Sequence, residues 1–152
     1  MQTRAKLLHT IDPSLSLLYY VIAGSAELND FFAYERVARR DPLRRPGMKI
    51  IVDLTLVSAI SYELADIQRM IDLNANLLAQ GLPLEPTAVI GRKEYDITAG
   101  QIVGERAQLA VPIEMGIFLT LHEAVEWLEL GHAYPQIAAI QERLWRQIHT
   151  QE

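Results

Sequence analysis

Lys49-Ile50-Ile51-Val52-Asp53-Leu54-Thr55 is the stretch on which the fold turns. Its apolar residues run on without alternation, as in a parallel strand covered on both faces, and it ends in polar residues ahead of a helical pattern. Residues 48–54 are read as that strand, central in its sheet. Open α/β sheets bind ligands at the carboxyl ends of such strands, which makes Asp53 and its surroundings the expected site region.

The pattern continues to either side. Upstream, residues 6–11 and 15–23 read as two strands of a hairpin joined through Asp12-Pro13-Ser14, where proline fixes φ and aspartate caps the turn. A helix is expected from Gly24-Ser25 to about residue 40, with Leu28, Phe31, Phe32 and Glu35 at helical spacing and Ser25 as its cap. Asp41-Pro42 ends it. Downstream, residues 61–80 carry a broad apolar stripe that predicts a well-buried helix, closed by Gly81. A strand over 87–91, a helix over about 94–109 and a strand over 111–119 follow. Thr120-Leu121-His122-Glu123 has the spacing of a capping box for a helix over 121–130 closed by Gly131. Pro135 opens a last helix, to about 149, with Ile137, Ile140, Leu144 and Ile148 on one face.

This alternation implies an α/β domain whose central sheet is mostly parallel, with about five strands, an antiparallel edge strand and four to five helices. The 152 residues make one domain of ordinary globular composition, 50% hydrophobic and 22% charged. Cysteine is absent, which removes disulfides, thiolate nucleophiles and cysteine-bound metals, and fits a reducing cytoplasm. No run has the length of a signal peptide's apolar core or a membrane span. The net charge of −5 opposes general nucleic-acid binding.

The order and spacing of several short motifs resemble the SpoIIAA-like group of small bacterial proteins, with its STAS-like and SEC14-like relatives. They are the Asp-Pro before the second strand, the apolar strand ending in Gly24, Asp41-Pro42, Arg45-Pro46-Gly47, the strand end Asp53-Leu54, and residues 118–128. The resemblance covers residues 12 to about 128 and implies an interaction or regulatory module that acts without catalysis or cofactor. In phosphorylated members of the group, a strand ending Asp-Leu-Ser/Thr leads to an Asp-Ser-Ser/Thr-Gly turn. Here Asp53-Leu54-Thr55 matches, but Ser61-Tyr62-Glu63-Leu64 replaces the turn and Tyr62 stands at the acceptor position. A serine-phosphorylation switch is not expected.

The candidate ligand- or partner-binding residues are Ser25, Asp53, Ser58, Ser61 and Arg92. Ser58 and Ser61 are read first as helix caps. Asp53 is read first as an acceptor for backbone amides of the next turn, and Arg92, beside Lys93, as either a solvated loop cation or part of an anion site. His9, His122, His132 and His149 show no metal-ligand spacing. Gly100 and Gly104 have the spacing of close helix packing. Arg36, Arg39, Arg40, Arg44 and Arg45 form a basic patch, suited either to the carboxyl end of its own helix or to an acidic partner or lipid headgroups. The last helix either covers its own domain or forms a homodimer. A protein partner, a small anionic or lipid-like ligand in a cavity at the carboxyl strand ends, and an enzyme of unknown reaction are the functional readings, in that order.

Overall fold

The computed structural model describes residues 5–61, 64–83, 85–91 and 114–150. Its elements are β1 (Lys6–Asp12), β2 (Leu17–Glu27), α1 (Leu28–Ala38), β3 (Lys49–Ser61), α2 (Leu64–Ala79), β4 (Thr87–Ile90), β5 (Met115–Phe118), α3 (Leu121–Trp127) and α4 (Tyr134–Thr150). The five strands form one sheet in the order β1-β2-β3-β4-β5. β1 pairs antiparallel with β2, and the other three pairings are parallel. This is the α/β architecture expected from the alternation. The expected helix over 94–109, with Gly100 and Gly104, lies outside the described residues, as does the Tyr62-Glu63 turn.

β2 distributes its side chains strictly by parity, because successive residues of a strand point to opposite faces. Leu17, Tyr19 and Val21 pack with Ile51, α3 and α4 on one face. Leu18, Tyr20 and Ile22 pack with Ile50, Val52 and the α1 side on the other. Both layers are apolar and closed, which is why the Ile50-Ile51-Val52 run has no polar alternation. The hairpin turn is the one expected: Asp12 Oδ1 accepts the Ser14 amide at 3.0 Å and the Leu15 amide at 3.3 Å.

The elements on either side of the central strand differ from expectation. β3 runs seven residues past Leu54, and β2 runs on to Glu27 beside it, with Ser25 opposite Ala59 and Glu27 opposite Ser61. Ser25 is therefore a strand residue and not the cap of α1. Glu27 stands at that position, its backbone amide donating to Asp30 Oδ2 at 2.8 Å. Gly24 has φ +85°, and the register shifts between Gly24 and Ser25, so the left-handed glycine makes a β-bulge here rather than a helix start. Ser58 and Ser61 likewise lie within β3 and not at the start of α2. In the second half of α2, Ile71, Leu73, Leu77 and Leu78 are only partly buried, less than the stripe implied.

Two helix ends follow one motif. At α2, Leu82 N–H donates to Leu77 O and Gly81 N–H to Leu78 O, with Gly81 at φ +74°. At α3, Leu130 and Glu129 donate to Val125 O and Glu126 O, and Glu129, not Gly131, takes the left-handed position at φ +61°. The start of α3 is half of the expected capping box: Thr120 Oγ1 accepts the Glu123 amide at 3.2 Å and donates to Glu123 Oε1 at 3.0 Å. α4 lies back across β1 and β2. Ile137, Ile140, Leu144 and Ile148 are all buried there, so this stripe is covered within the chain.

Candidate functional site

Two buried polar centres occupy the two faces of the sheet. On the α4 face, Asp53 is fully buried. Its Oδ2 accepts the Tyr19 hydroxyl at 2.7 Å, Trp145 Nε1–H at 2.9 Å and Gln141 Nε2–H at 3.1 Å. Its Oδ1 accepts the Thr55 amide at 2.9 Å. The amide contact is the one anticipated from sequence; the three side-chain donors are not local. Gln141 and Trp145 lie one turn apart on α4, so a single helix face delivers both to the carboxylate. Gln141 also donates to the Tyr19 oxygen at 2.9 Å. Burial, and then the charge of Asp53, pushes the Tyr19 phenol far above its ordinary range, which keeps it protonated and a donor. Gln136 to Asp12, at 2.6 Å, and Arg143 to Thr10, at 3.2 Å, tie the rest of α4 to β1.

On the α1 face, Tyr20 donates to Glu35 Oε2. Glu35 is 6% exposed. Arg44 comes from the loop before β3 and donates from Nη2 to Glu35 Oε1 at 3.0 Å and to Glu85 Oε2 at 3.1 Å, and from Nη1 to the Tyr20 oxygen at 3.2 Å. Arg39, at the end of α1, donates to Glu85 Oε1 at 2.9 Å and has its Nε 3.1 Å from Glu35 Oε1. Burial works against the Arg44 cation, but Glu35, Tyr20 and Glu85 more than reverse this and hold its pKa above the usual arginine value. Burial, followed by the charge of Glu35, raises Tyr20 far above the tyrosine range, and Arg44 opposes this only in part. Four charges thus share a site into which each alone would cost several kcal/mol to bury, on the order of 3–5 for one left unpaired.

Beside this cluster, His9 on β1 bridges α1 and the following loop. Its Nδ1 is 2.7 Å from Tyr34 Oη and its Nε2 is 2.8 Å from Asp41 Oδ2. The order hydroxyl, imidazole, carboxylate is that of an activated nucleophile. Burial raises the Tyr34 phenol, so it stays protonated, while the Leu43 amide and then His9 lower the Asp41 carboxyl. The trio joins three elements.

A partly open cleft of about 180 Å³ adjoins the Glu35 cluster. Arg44, Arg45 and Pro46 bring to it the segment before β3, and Pro83 and Glu85 the segment before β4. It lies at the amino ends of the parallel strands, whereas the sequence pointed to the carboxyl ends. Gly47, at φ +80°, turns the chain beside it, and a side chain there would meet the Pro83 ring at 3.1 Å.

Ser25, Ser58 and Ser61 come together at the outer end of the β2–β3 pair. Asp53 is sealed under α4, and Arg92 lies outside the described residues. Among the described residues no three metal-capable side chains converge, and no helix is long and apolar enough to cross a membrane. The basic patch divides: Arg39 and Arg44 turn inward to Glu35 and Glu85, while Arg36, Arg40 and Arg45 are exposed. Glu35 carried a signal of its burial, as an acidic residue inside the apolar stripe of α1. Glu85, Gln141 and Trp145 carried none.

No protein-family model matches this chain, and no curated protein does. The chain is similar to a solved SpoIIAA-like protein. That protein, an uncharacterised member of the DUF3478 family from Shewanella loihica PV-4, shares 18% identity with it at a TM-score of 0.49, over 83% of this chain and 96% of its own.

Proposed function

We propose that the chain is an interaction or regulatory module of the SpoIIAA-like type, acting through a surface and without catalysis of its own, and that it recognises an acidic protein partner. One observation carries this reading. The segment from residue 36 to 45 exposes Arg36, Arg40 and Arg45 together with two large apolar side chains, Val37 at 58% and Leu43 at 47%. The acidic residues among these cations are engaged: Glu35 is buried against Arg44, and Asp41 is held by His9 and the Leu43 amide. A local positive field with apolar anchors, on a chain of net charge −5, favours a negatively charged surface and orients its approach. Arginine is also among the residues enriched at interfaces.

The test is affinity purification from the host with the full chain at low and high salt, followed by reconstitution with the purified acidic protein. The double variant Arg36→Glu/Arg40→Glu keeps its fold, since both side chains are exposed, and loses the partner. The native complex weakens as salt rises. Capture of the same proteins by both forms, or of none by the native chain, refutes the reading. Ser58→Ala is the control at the other end of the sheet; if it abolishes binding, recognition lies at the rim of Ser25, Ser58 and Ser61 instead.

A further inference from the structure

The cleft at the amino ends of β3 and β4 has the composition of a small binding site. Its polar wall holds Arg39, Arg44, Arg45 and Glu85. Behind it, Glu35 accepts from Arg44 and lies against Arg39. Three cations therefore face two carboxylates, and the balance is positive. The Arg44 side chain is 5% exposed, and its Nε–H is buried without an acceptor. Arg39 Nε also lacks a hydrogen bond, because its approach to Glu35 has the wrong direction for one. Buried donors left without acceptors are uncommon in folded proteins, but these two have no accessible surface and mark the crowding of charge behind the wall, not a contact for an occupant.

The other wall is apolar, made by Leu77, Leu82, Pro46 and Pro83. The cleft's 180 Å³ is below the roughly 300–1,000 Å³ of sites for drug-sized ligands, so an occupant has a polar head and only a few carbons. Glu85 shows what the polar wall recognises: its carboxylate is already held by Arg39 at 2.9 Å and by Arg44 at 3.1 Å. Guanidinium groups suit planar carboxylates and phosphates better than any other side chain does. Glu35 and Glu85 hold these arginines in place before a ligand arrives, which lowers the ordering cost of binding.

We propose that this cleft binds a small oxyanion, a carboxylate or a phosphate monoester, carried on a short apolar tail. The head meets the arginines and the tail lies along Leu77 and Leu82. This site shares Arg45 with the exposed surface of Arg36 and Arg40, but Leu82→Glu touches only the cleft and Arg36→Glu/Arg40→Glu only the surface, so either assignment can fail without the other.

The experiment is a ¹H–¹⁵N NMR titration of the full chain with n-hexanoate, n-butyl phosphate and inorganic phosphate. At least one of the two organic probes is expected to shift the amides of Arg39, Arg45, Leu77, Leu82 and Glu85 along one saturable curve, and which of them does so identifies the head. Inorganic phosphate, lacking a tail, binds at least tenfold more weakly. Arg45→Glu, whose guanidinium donates to the Pro42 and Arg44 carbonyls, and Leu82→Glu each weaken binding at least tenfold while leaving the rest of the spectrum in place. The proposal is overturned if neither organic probe gives a saturable shift, if both variants bind as the native chain does, or if inorganic phosphate binds as tightly as the organic probes.

Discussion

Tyr19 and Tyr20 are neighbours on β2, and each donates its hydroxyl to a buried carboxylate, one on either face of the sheet. The two carboxylates are satisfied by different chemistry. Asp53 draws only on neutral donors, the Tyr19 phenol, the Gln141 amide, the Trp145 indole and the Thr55 backbone. Glu35 shares two arginines with Glu85. Asp53 and Tyr19 have no exposed surface, while Gln141 and Trp145 are partly exposed, and the centre clasps α4 to the sheet. The Glu35 centre reaches the surface, where Arg39 is 31% exposed and the cleft begins. At the Asp53 centre the helix α4 supplies two of the four donors, and the carboxylate itself is out of reach of solvent. The Glu35 centre has surplus guanidinium groups at an opening, where a ligand can meet them.

The largest effect expected on this comparison is from Asp53→Ala. It strands three side-chain donors in the core and destabilises the fold by about 3–5 kcal/mol, read from the urea midpoint at unchanged slope. A loss below about 1 kcal/mol would mean that Asp53 is not the clasp of α4. On the other face, Arg44→Met removes a cation from two carboxylates at once and costs about 3 kcal/mol. Adding Glu35→Gln to the same chain recovers part of that loss, with a coupling of about 1 kcal/mol or more in a double-mutant cycle. Zero coupling would break the distinction between the charged and the neutral centre.

Both centres respond to alkali. Tyr19 and Tyr20 have folded pKa values raised above the ordinary 10, so the folded state keeps protons that the unfolded state gives up. Their contribution is fully present below pH 10 and lost above it, at about 1.4 kcal/mol per pH unit for each tyrosine. Unfolding at a series of pH values above 10 checks the slope, and Tyr19→Phe or Tyr20→Phe each removes one share. Trp145→Phe withdraws one of the four Asp53 donors and costs about 1 kcal/mol, with the other three intact. The smallest effect lies in acid. Asp12 is lowered first by the Ser14 side chain and Asp41 first by the Leu43 amide, so each contributes above its ordinary pKa near 3.8 and the contribution is lost as pH falls below it. Both are largely solvated, and each is worth less than about 1 kcal/mol, measurable as a shallow fall in stability between pH 4 and pH 2.

Much of the fold was legible because its signals are local. The Asp12 turn, the alternating strands and helices, the Gly81 stop and the stripe of α4 depend on residues within a few positions of one another. Gly24 misled for a physical reason: a left-handed glycine serves a bulge as readily as a helix boundary, and the parallel pairing of Ser25 and Ala26 with Ala59 and Ile60 decided between them. Ser58 and Ser61 were drawn into the strand by the same pairing. Of the candidate site, Asp53 was singled out for its place at a strand end, and its burial was not visible, because Gln141 and Trp145 lie 88 and 92 residues away. Glu35 hinted at its burial, by standing in an apolar stripe, but not at Arg44 or Arg39.

The sequence by itself determined the α/β alternation, the two-faced burial of the central strands and the amphipathic last helix, since hydrophobic period and turn chemistry act over short range. Only the tertiary structure decided where the carboxylates find their donors, where α4 lies and which arginines turn inward. Arg44 meets Glu85 across 41 residues, and an arginine in a loop reads the same whether it faces solvent or a buried glutamate. Such pairings depend on which segments the sheet brings together, and no local pattern encodes that.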